Sequence, residues 1–203
     1  MAQMICISYL PWQNTPFRTQ RLVTHLPDME TLFFQPAIGQ PASSEGIHVL
    51  PNLTVYTLPA SLFSQDLRPR TIRRGIELIK QQMENNGFEE PLLWACTPMA
   101  ALLLDDIPHH GLIYDCDRFW HHLPVTLESN LAYQADLILT ASQGLEERLS
   151  LCNDNIAQIP WGTDVGLYAS MEQERLPIPP DFEAICTRGP VFGYLGAVEH
   201  RLN

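Results

Sequence analysis

Hydrophobic residues along the chain fall into short continuous runs separated by longer stretches with helical spacing. Met4–Tyr9 is the first run, and Glu30–Gln35 and Leu53–Leu58 are the next two. Leu92–Cys96, Gly111–Cys116, Leu137–Ala141 and Ile156–Pro160 follow. Each is a few residues long and apolar on both alternating positions, as expected of strands buried on both faces. Between them, Thr15-Pro16 reads as a helix N-cap and first helical residue, with Leu22, Val23 and Leu26 on one face. The clearest helix is Arg70–Asn86. Its Ile72, Ile76, Ile79 and Met83 repeat at helical spacing, and Asn86-Gly87 supplies a stop. A short helix is expected over Pro98–Leu104 and a longer one over Leu127–Ala135. A third carries Leu145 and Leu149 after a capping Ser142. Gly39–Pro51 is rich in turn residues and reads as irregular loop.

Strands alternating with helices require crossover connections and hence a parallel sheet covered on both faces. The fold class expected is α/β, a doubly wound, Rossmann-like parallel sheet of six or seven strands. Ligands of such sheets bind beyond the carboxyl ends of the strands, so the loops there carry the candidate chemistry. Ser170–Pro190 changes character: Pro177, Pro179, Pro180 and Pro190 stand among charges with no clean period, as in a linker. After it, Val191 onward reads as a new buried strand with a tight glycine turn. The expected organisation is residues 1–168 as the first domain, 169–190 as linker and 191–203 as the first strand of a second domain.

Composition narrows the field. Twelve lysines and arginines against 23 aspartates and glutamates leave a net charge of −11, which disfavours non-specific nucleic-acid binding. The five cysteines form no CxxC pair, so a zinc ribbon or thioredoxin site is not expected. Cys6, Cys96 and Cys116 sit within apolar runs, as small buried hydrophobes do, and free buried thiols fit the cytosol. The N-terminus lacks a basic n-region, and the apolar run Leu92–Leu104 is too short to span a bilayer. A GxGxxG after the first strand, a P-loop and a GxSxG elbow are all absent, which argues against dinucleotide oxidoreductases, P-loop enzymes and α/β-hydrolases.

The densest polar cluster follows the Gly111–Cys116 run: Asp115, Asp117, Arg118, His121 and His122. Carboxylates and imidazoles at a strand end can orient a hydroxyl or take its proton, and Asp117 and His121 are the candidate catalytic pair. Adjacent histidines alone are a poor metal signature. Equally, Asp115 could cap a turn and the histidines could face solvent. The loop after the first strand offers Trp12, Asn14, Thr15 and Arg18. An indole can stack on a sugar face and the helix start favours an anion; alternatively Trp12 packs and Thr15 only caps. Thr97 borders the same cleft or caps a helix. Trp161-Gly162-Thr163-Asp164 reads as a structural turn. Arg68, Arg70, Arg73, Arg74 and Lys80 gather five of the 12 basic residues in one short stretch. Such a face is either simply solvated or docks on anionic lipid through Arg70, Arg73 and Arg74.

Five segments occur in an order that resembles a known family: PWQNTPFRTQRLVTHL, GLIYDCDRFW, YQADLILTASQGLEERL, IPWGTDVGLY and VFGYLGAVEHRL. They look like the N-terminal half of bacterial GT-B glycosyltransferases of the retaining family 4 type, which serve capsule and exopolysaccharide assembly. Two departures are visible. The family's Asn-Gly-Val-Asp turn reads Trp161-Gly162-Thr163-Asp164, and its glycine-rich first loop is replaced by Pro11–Pro16. The resemblance implies an acceptor-binding half of an enzyme that moves sugar from a nucleotide-sugar donor to a glycan or lipid-linked acceptor. It implies no essential metal, and no activity without the donor-binding lobe. Glu199 and Arg201 would then lie on the donor side. The location implied is cytoplasmic, with peripheral contact at the inner membrane face. A non-catalytic glycan- or lipid-binding domain of the same fold is the alternative.

Overall fold

The computed structural model describes residues 1–12, 17–39, 41–64, 68–163, 165–166, 169, 178–186 and 189–194. Two compact units divide the chain, Met1–Gly162 and Thr163–Asn203.

The first unit is built on one eight-stranded sheet. Its strands are β1 (Ala2–Ile7), β2 (Met29–Pro36), β3 (Ser43–Leu50), β4 (Leu53–Leu58), β5 (Leu92–Ala95), β6 (Gly111–Cys116), β7 (Leu137–Thr140) and β8 (Ile156–Gln158). In space they run β3-β4-β2-β1-β5-β6-β7-β8. Every neighbouring pair is parallel except β3 with β4. The α-helices are α1 (Arg18–Thr24), α2 (Pro69–Asn85), α3 (Val125–Gln134) and α4 (Gln143–Leu149), with 3-10 turns at Ala60–Phe63 and Pro98–Leu102. This is the doubly wound α/β arrangement that the alternation of runs predicts.

Consecutive strand residues go to opposite faces, and both faces are sealed. Ile5, Ile7, Leu32, Phe34, Leu93 and Tyr114 pack under Ile76, Ile79 and Met83 of α2 and Leu131 of α3. Met4, Cys6, Phe33, Val55, Trp94 and Leu139 form the core of the other face with Val23 of α1. Helix α2 exists for the reason its spacing predicts, since Ile76, Ile79 and Met83 are buried in one stripe. It stops at Gly87, whose φ of 71° only glycine adopts readily. The Phe88 N–H closes the end by donating to the Met83 carbonyl at 2.8 Å.

Two readings are corrected. Gly39–Pro51, expected as irregular loop, carries strand β3, which pairs antiparallel with β4 in the registers Ser43–Thr57, Ile47–Val55 and Leu50–Leu53. Its residues are mostly exposed, so it lacks the buried apolar signature by which the other strands show themselves. The stretch read as patternless linker contains a helix, α5 (Pro180–Cys186), started by a proline with Asp181 and Glu183 in its first turn. Of the segment read as the first strand of a second domain, Val191–Tyr194 carry no strand and Phe192 is 97% exposed, while residues 195–203 lie outside the described residues.

Strand β3 depends on Gly46. A Cβ there would stand 2.6 Å from Thr54 Cγ2 and 2.7 Å from the Tyr56 ring, too close for either to accommodate. Gly46→Ala is expected to lower stability by about 1–3 kcal/mol through overpacking. Amide exchange should accelerate along Ser43–Leu50 first; unchanged exchange there would separate β3 from this contact.

Candidate functional site

The strand order reverses between β1 and β5, and the carboxyl ends of β1, β5 and β6 thus lie at the position where open α/β sheets bind ligands. Tyr9 at the end of β1 meets Asp117 at the end of β6: its hydroxyl donates to Asp117 Oδ2 at 2.6 Å. Arg118 Nε donates to Asp117 Oδ1 at 3.2 Å. The Arg118 guanidinium lies 4.4 Å above the Tyr9 ring and 5.9 Å from the Trp120 ring, within cation–π range. Tyr9 and Trp120 meet edge to face at 4.9 Å. The Asp117 side chain is only 5% exposed, whereas that of Arg118 is 44% exposed. Burial first, and then the negative Asp117, push the Tyr9 hydroxyl above its ordinary pKa and keep it a donor.

Beneath this cluster lies a buried ion pair. Arg18, the first residue of α1, donates from Nε and Nη2 to Asp115 Oδ1, both at 3.1 Å. Its Nη1 donates to the carbonyls of Ile159 and Pro160. A cation in the first turn of a helix opposes the helix dipole, and the Asp115 carboxylate offsets it. The side chains are 3% and 1% exposed. Burial nevertheless outweighs Arg18 and holds the Asp115 carboxyl above the usual carboxylate range. Asp115 Oδ2 has no hydrogen-bond partner.

A second charge pair holds the other side of the loop after β6. Arg148 of α4 grips both oxygens of Glu128 on α3, at 2.5 Å to Oε2 and 2.7 Å to Oε1. Glu128 Oε1 also accepts from the Tyr114 hydroxyl at 2.7 Å and from Cys116 Sγ at 3.6 Å. Burial pushes the Cys116 thiol up to about 12, so it stays protonated and donates. Arg148 sits 5.2 Å from the Phe119 ring, and Phe119 stacks on His121 at 5.4 Å. Phe119, His121, Glu128 and Arg148 line a cleft of about 490 Å³ between α3 and α4.

The candidate residues are thus sorted by position. Asp117, Arg118, His121 and His122 share the loop after β6, and both histidines are exposed. His122 lies against Trp120 at 5.8 Å. Trp12 stands at the same end of the sheet but leans over β2: its ring meets Phe33 edge to face at 5.0 Å, and its backbone N–H donates to Gln35 Oε1 at 2.5 Å. The member of the first loop that reaches Asp117 is Tyr9. Arg18 and Asp115 are buried against each other. Thr97 is 1% exposed and accepts from the Met99 N–H at 3.3 Å, as a cap does. Asn14, Thr15, Glu199 and Arg201 lie outside the described residues. Among the described residues no three histidine, cysteine or acidic side chains gather as metal ligands would. Tyr9, Glu128 and Arg148 were not foreseen. Glu128 had a legible signal, because it shares the inward helical face with Leu131 and Ala132.

The ion pair yields a stability prediction. Arg18→Met leaves Asp115 buried and unpaired and should cost about 3–5 kcal/mol at neutral pH; adding Asp115→Leu should recover most of it. Loss of the guanidinium raises the Asp115 carboxyl further. The folded variant then binds that proton more tightly than the unfolded chain. Its relative stability is greatest below the unfolded carboxyl's range and declines as pH rises through the raised value. Urea midpoints should therefore show a smaller deficit at about pH 4 than at about pH 7. An equal deficit at both would mean that Asp115 does not carry the charge.

No family model matches the chain, and no curated protein matches it. Solved structures do. A fragment of sucrose-phosphate synthase from Thermosynechococcus elongatus superposes with a TM-score of 0.53 at 16% identity, covering 84% of this chain and 96% of that one. The longer structure of the same enzyme gives 0.59 at 15% identity, over 87% of this chain and 53% of that one. An α,α-trehalose-phosphate synthase (UDP-forming) from Burkholderia vietnamiensis gives 0.58 at 12% identity, over 92% and 53%. The chain spans about half the length of these two enzymes. At such identities the likeness is one of fold: the chain has the Rossmann-like α/β fold found in GT-B glycosyltransferases.

Proposed function

We propose that this chain is the acceptor-side half of a GT-B glycosyltransferase of the family 4 type. The enzyme would move a sugar, with retention, from a nucleotide-sugar donor to a glycan or lipid-linked acceptor in cell-surface polysaccharide synthesis. What supports the reading is the cluster of Tyr9, Asp117 and Arg118 at the reversal of strand order, in a sheet of the GT-B type. Solved structures that share this fold include trehalose-6-phosphate from E. coli bound with UDP-2-fluoro glucose and a trehalose-6-phosphate synthase of which glycosyltransfer with retention is described. In this proposal the exposed His121 accepts the proton of the acceptor hydroxyl, Asp117 orients the acceptor by fixing Tyr9 and Arg118, and Trp12 offers a face to the acceptor sugar. The donor is held by a second lobe, on whose side Glu199 and Arg201 would lie. Closure of that lobe excludes water and limits hydrolysis. The proposed transfer needs no essential metal.

The complete gene product is expected to release nucleotide diphosphate from a nucleotide-sugar only when an acceptor is present, and the 203-residue chain alone to show no turnover. Asp117→Asn and His121→Gln should each lower turnover by about 100-fold or more. Glycan binding by the complete product with no turnover on any donor would instead support the non-catalytic binding domain.

A lipid-linked acceptor would bring the protein to a membrane surface. No described helix is long and apolar enough to cross a bilayer. Arg70, Arg73 and Arg74 are exposed on α2, away from its buried stripe, and each is worth roughly 1 kcal/mol near anionic lipid. Replacing all three with glutamine should weaken co-sedimentation with phosphatidylglycerol vesicles by about 100-fold. Unchanged sedimentation would remove the membrane role.

A further inference from the structure

We infer that Arg118 is an oxyanion receptor, and that the acceptor handled at this crevice carries a phosphate or carboxylate group. The inference rests on the acceptor-side reading above and narrows its substrate class. Asp117 is the first observation. It is almost sealed from solvent, with Oδ2 taken by Tyr9 and Oδ1 by Arg118. Its carboxylate is turned inward toward two donors, which is how a carboxylate orients a cation.

Arg118 is the second observation. Only its Nε edge is bonded to Asp117, its planar group rests on the Tyr9 ring with Trp120 beside it, and its side chain is 44% exposed. The Nη groups have no hydrogen-bond partner among the described residues. A guanidinium held on one edge and one face presents its remaining N–H donors as a fixed fork. That fork matches the two oxygens of a phosphate or carboxylate. Because the side chain is already positioned, little rotamer freedom is lost when the anion binds.

Charge sharpens the argument. The chain as a whole carries −11 and repels anions at long range. Nearby, Asp117 offsets Arg118, and Arg18 offsets Asp115. There is no general basic field here, so an anion would be recognised through short, directional hydrogen bonds. Such a site favours one anionic group in one orientation on a larger molecule over free ions.

The oxyanion could belong to a soluble sugar or to a lipid carrier, and the test separates the two. The 203-residue chain is titrated calorimetrically with glucose, glucose 6-phosphate, glucuronate and sodium sulfate, and is sedimented with vesicles containing phosphatidic acid. The inference expects either an anionic sugar to bind at least about tenfold more tightly than glucose, or the vesicles to bind, with Arg118→Gln abolishing the effect. Arg118→Lys should not restore it, because an ammonium lacks the fork. Tyr9→Phe, which frees Asp117, should weaken it several-fold. An unchanged melting temperature for Arg118→Gln would show that the loss is one of recognition.

Equal binding of glucose and its anionic forms, together with no Arg118-dependent vesicle binding, would overturn the inference. So would sulfate binding as tightly as the sugars, or no binding by any probe. The parent reading fails separately. If the complete product transfers sugar to neutral acceptors and Arg118→Gln leaves turnover unchanged, only this inference falls. If Arg118-dependent binding is found but no donor supports turnover, the glycosyltransferase reading falls and the receptor remains.

Discussion

A carboxylate sealed beneath the carboxyl end of β6 has to be matched, and the position of Arg18 follows from that need. Its guanidinium reaches Asp115 and the carbonyls of Ile159 and Pro160 from the first turn of α1. One buried cation thereby ties together the helix after β1, the end of β6 and the chain leaving β8. Charges this deep are tolerated only when paired. The arrangement is consequently all or nothing, and it defines the floor on which the exposed groups of the crevice stand.

Above that floor, the loop after β6 is gripped from two sides. On one, Tyr9 takes Asp117 and supports Arg118. On the other, Glu128 and Arg148 hold the end of β6 through Cys116 and press on Phe119. The loop therefore has little freedom where Asp117 and Arg118 leave the strand, while His121 and His122 remain at the surface. A rigid base with an exposed polar edge is the arrangement that the proposed acceptor site calls for.

Much of the fold was legible in the sequence. Six of the seven parallel strands announced themselves because they are largely buried and so mostly apolar, whereas β8 at the sheet edge is mostly exposed. Helix α2 announced itself because burial on one side leaves a stripe. Strand β3 stayed hidden because an exposed edge strand has no such pattern; its pairing rests on Gly46 lying flat against Thr54 and Tyr56. Helix α5 was hidden among prolines that read as linker, although one of them starts it. In the site, the polar cluster after β6 was visible as a run of residue types, but the division of labour within it was not. Asp115 and Asp117 are two residues apart, and on a strand that spacing shares a face. One is nonetheless buried against Arg18 and the other sits beside an exposed guanidinium, a difference set by residues about a hundred positions away.

By itself, the sequence determined that the chain forms a parallel sheet wrapped by helices and which loops gather at its carboxyl end. Those outcomes follow from local periodicity and from the cost of leaving apolar surface in water. Only the tertiary structure decided that Tyr9 rather than Trp12 meets Asp117, that Arg18 is spent on Asp115, and that Arg118 is the cation left facing out. Hydrogen bonds and ion pairs between distant strands depend on ångström-scale placement of side chains, and nothing in their linear spacing encodes that distance.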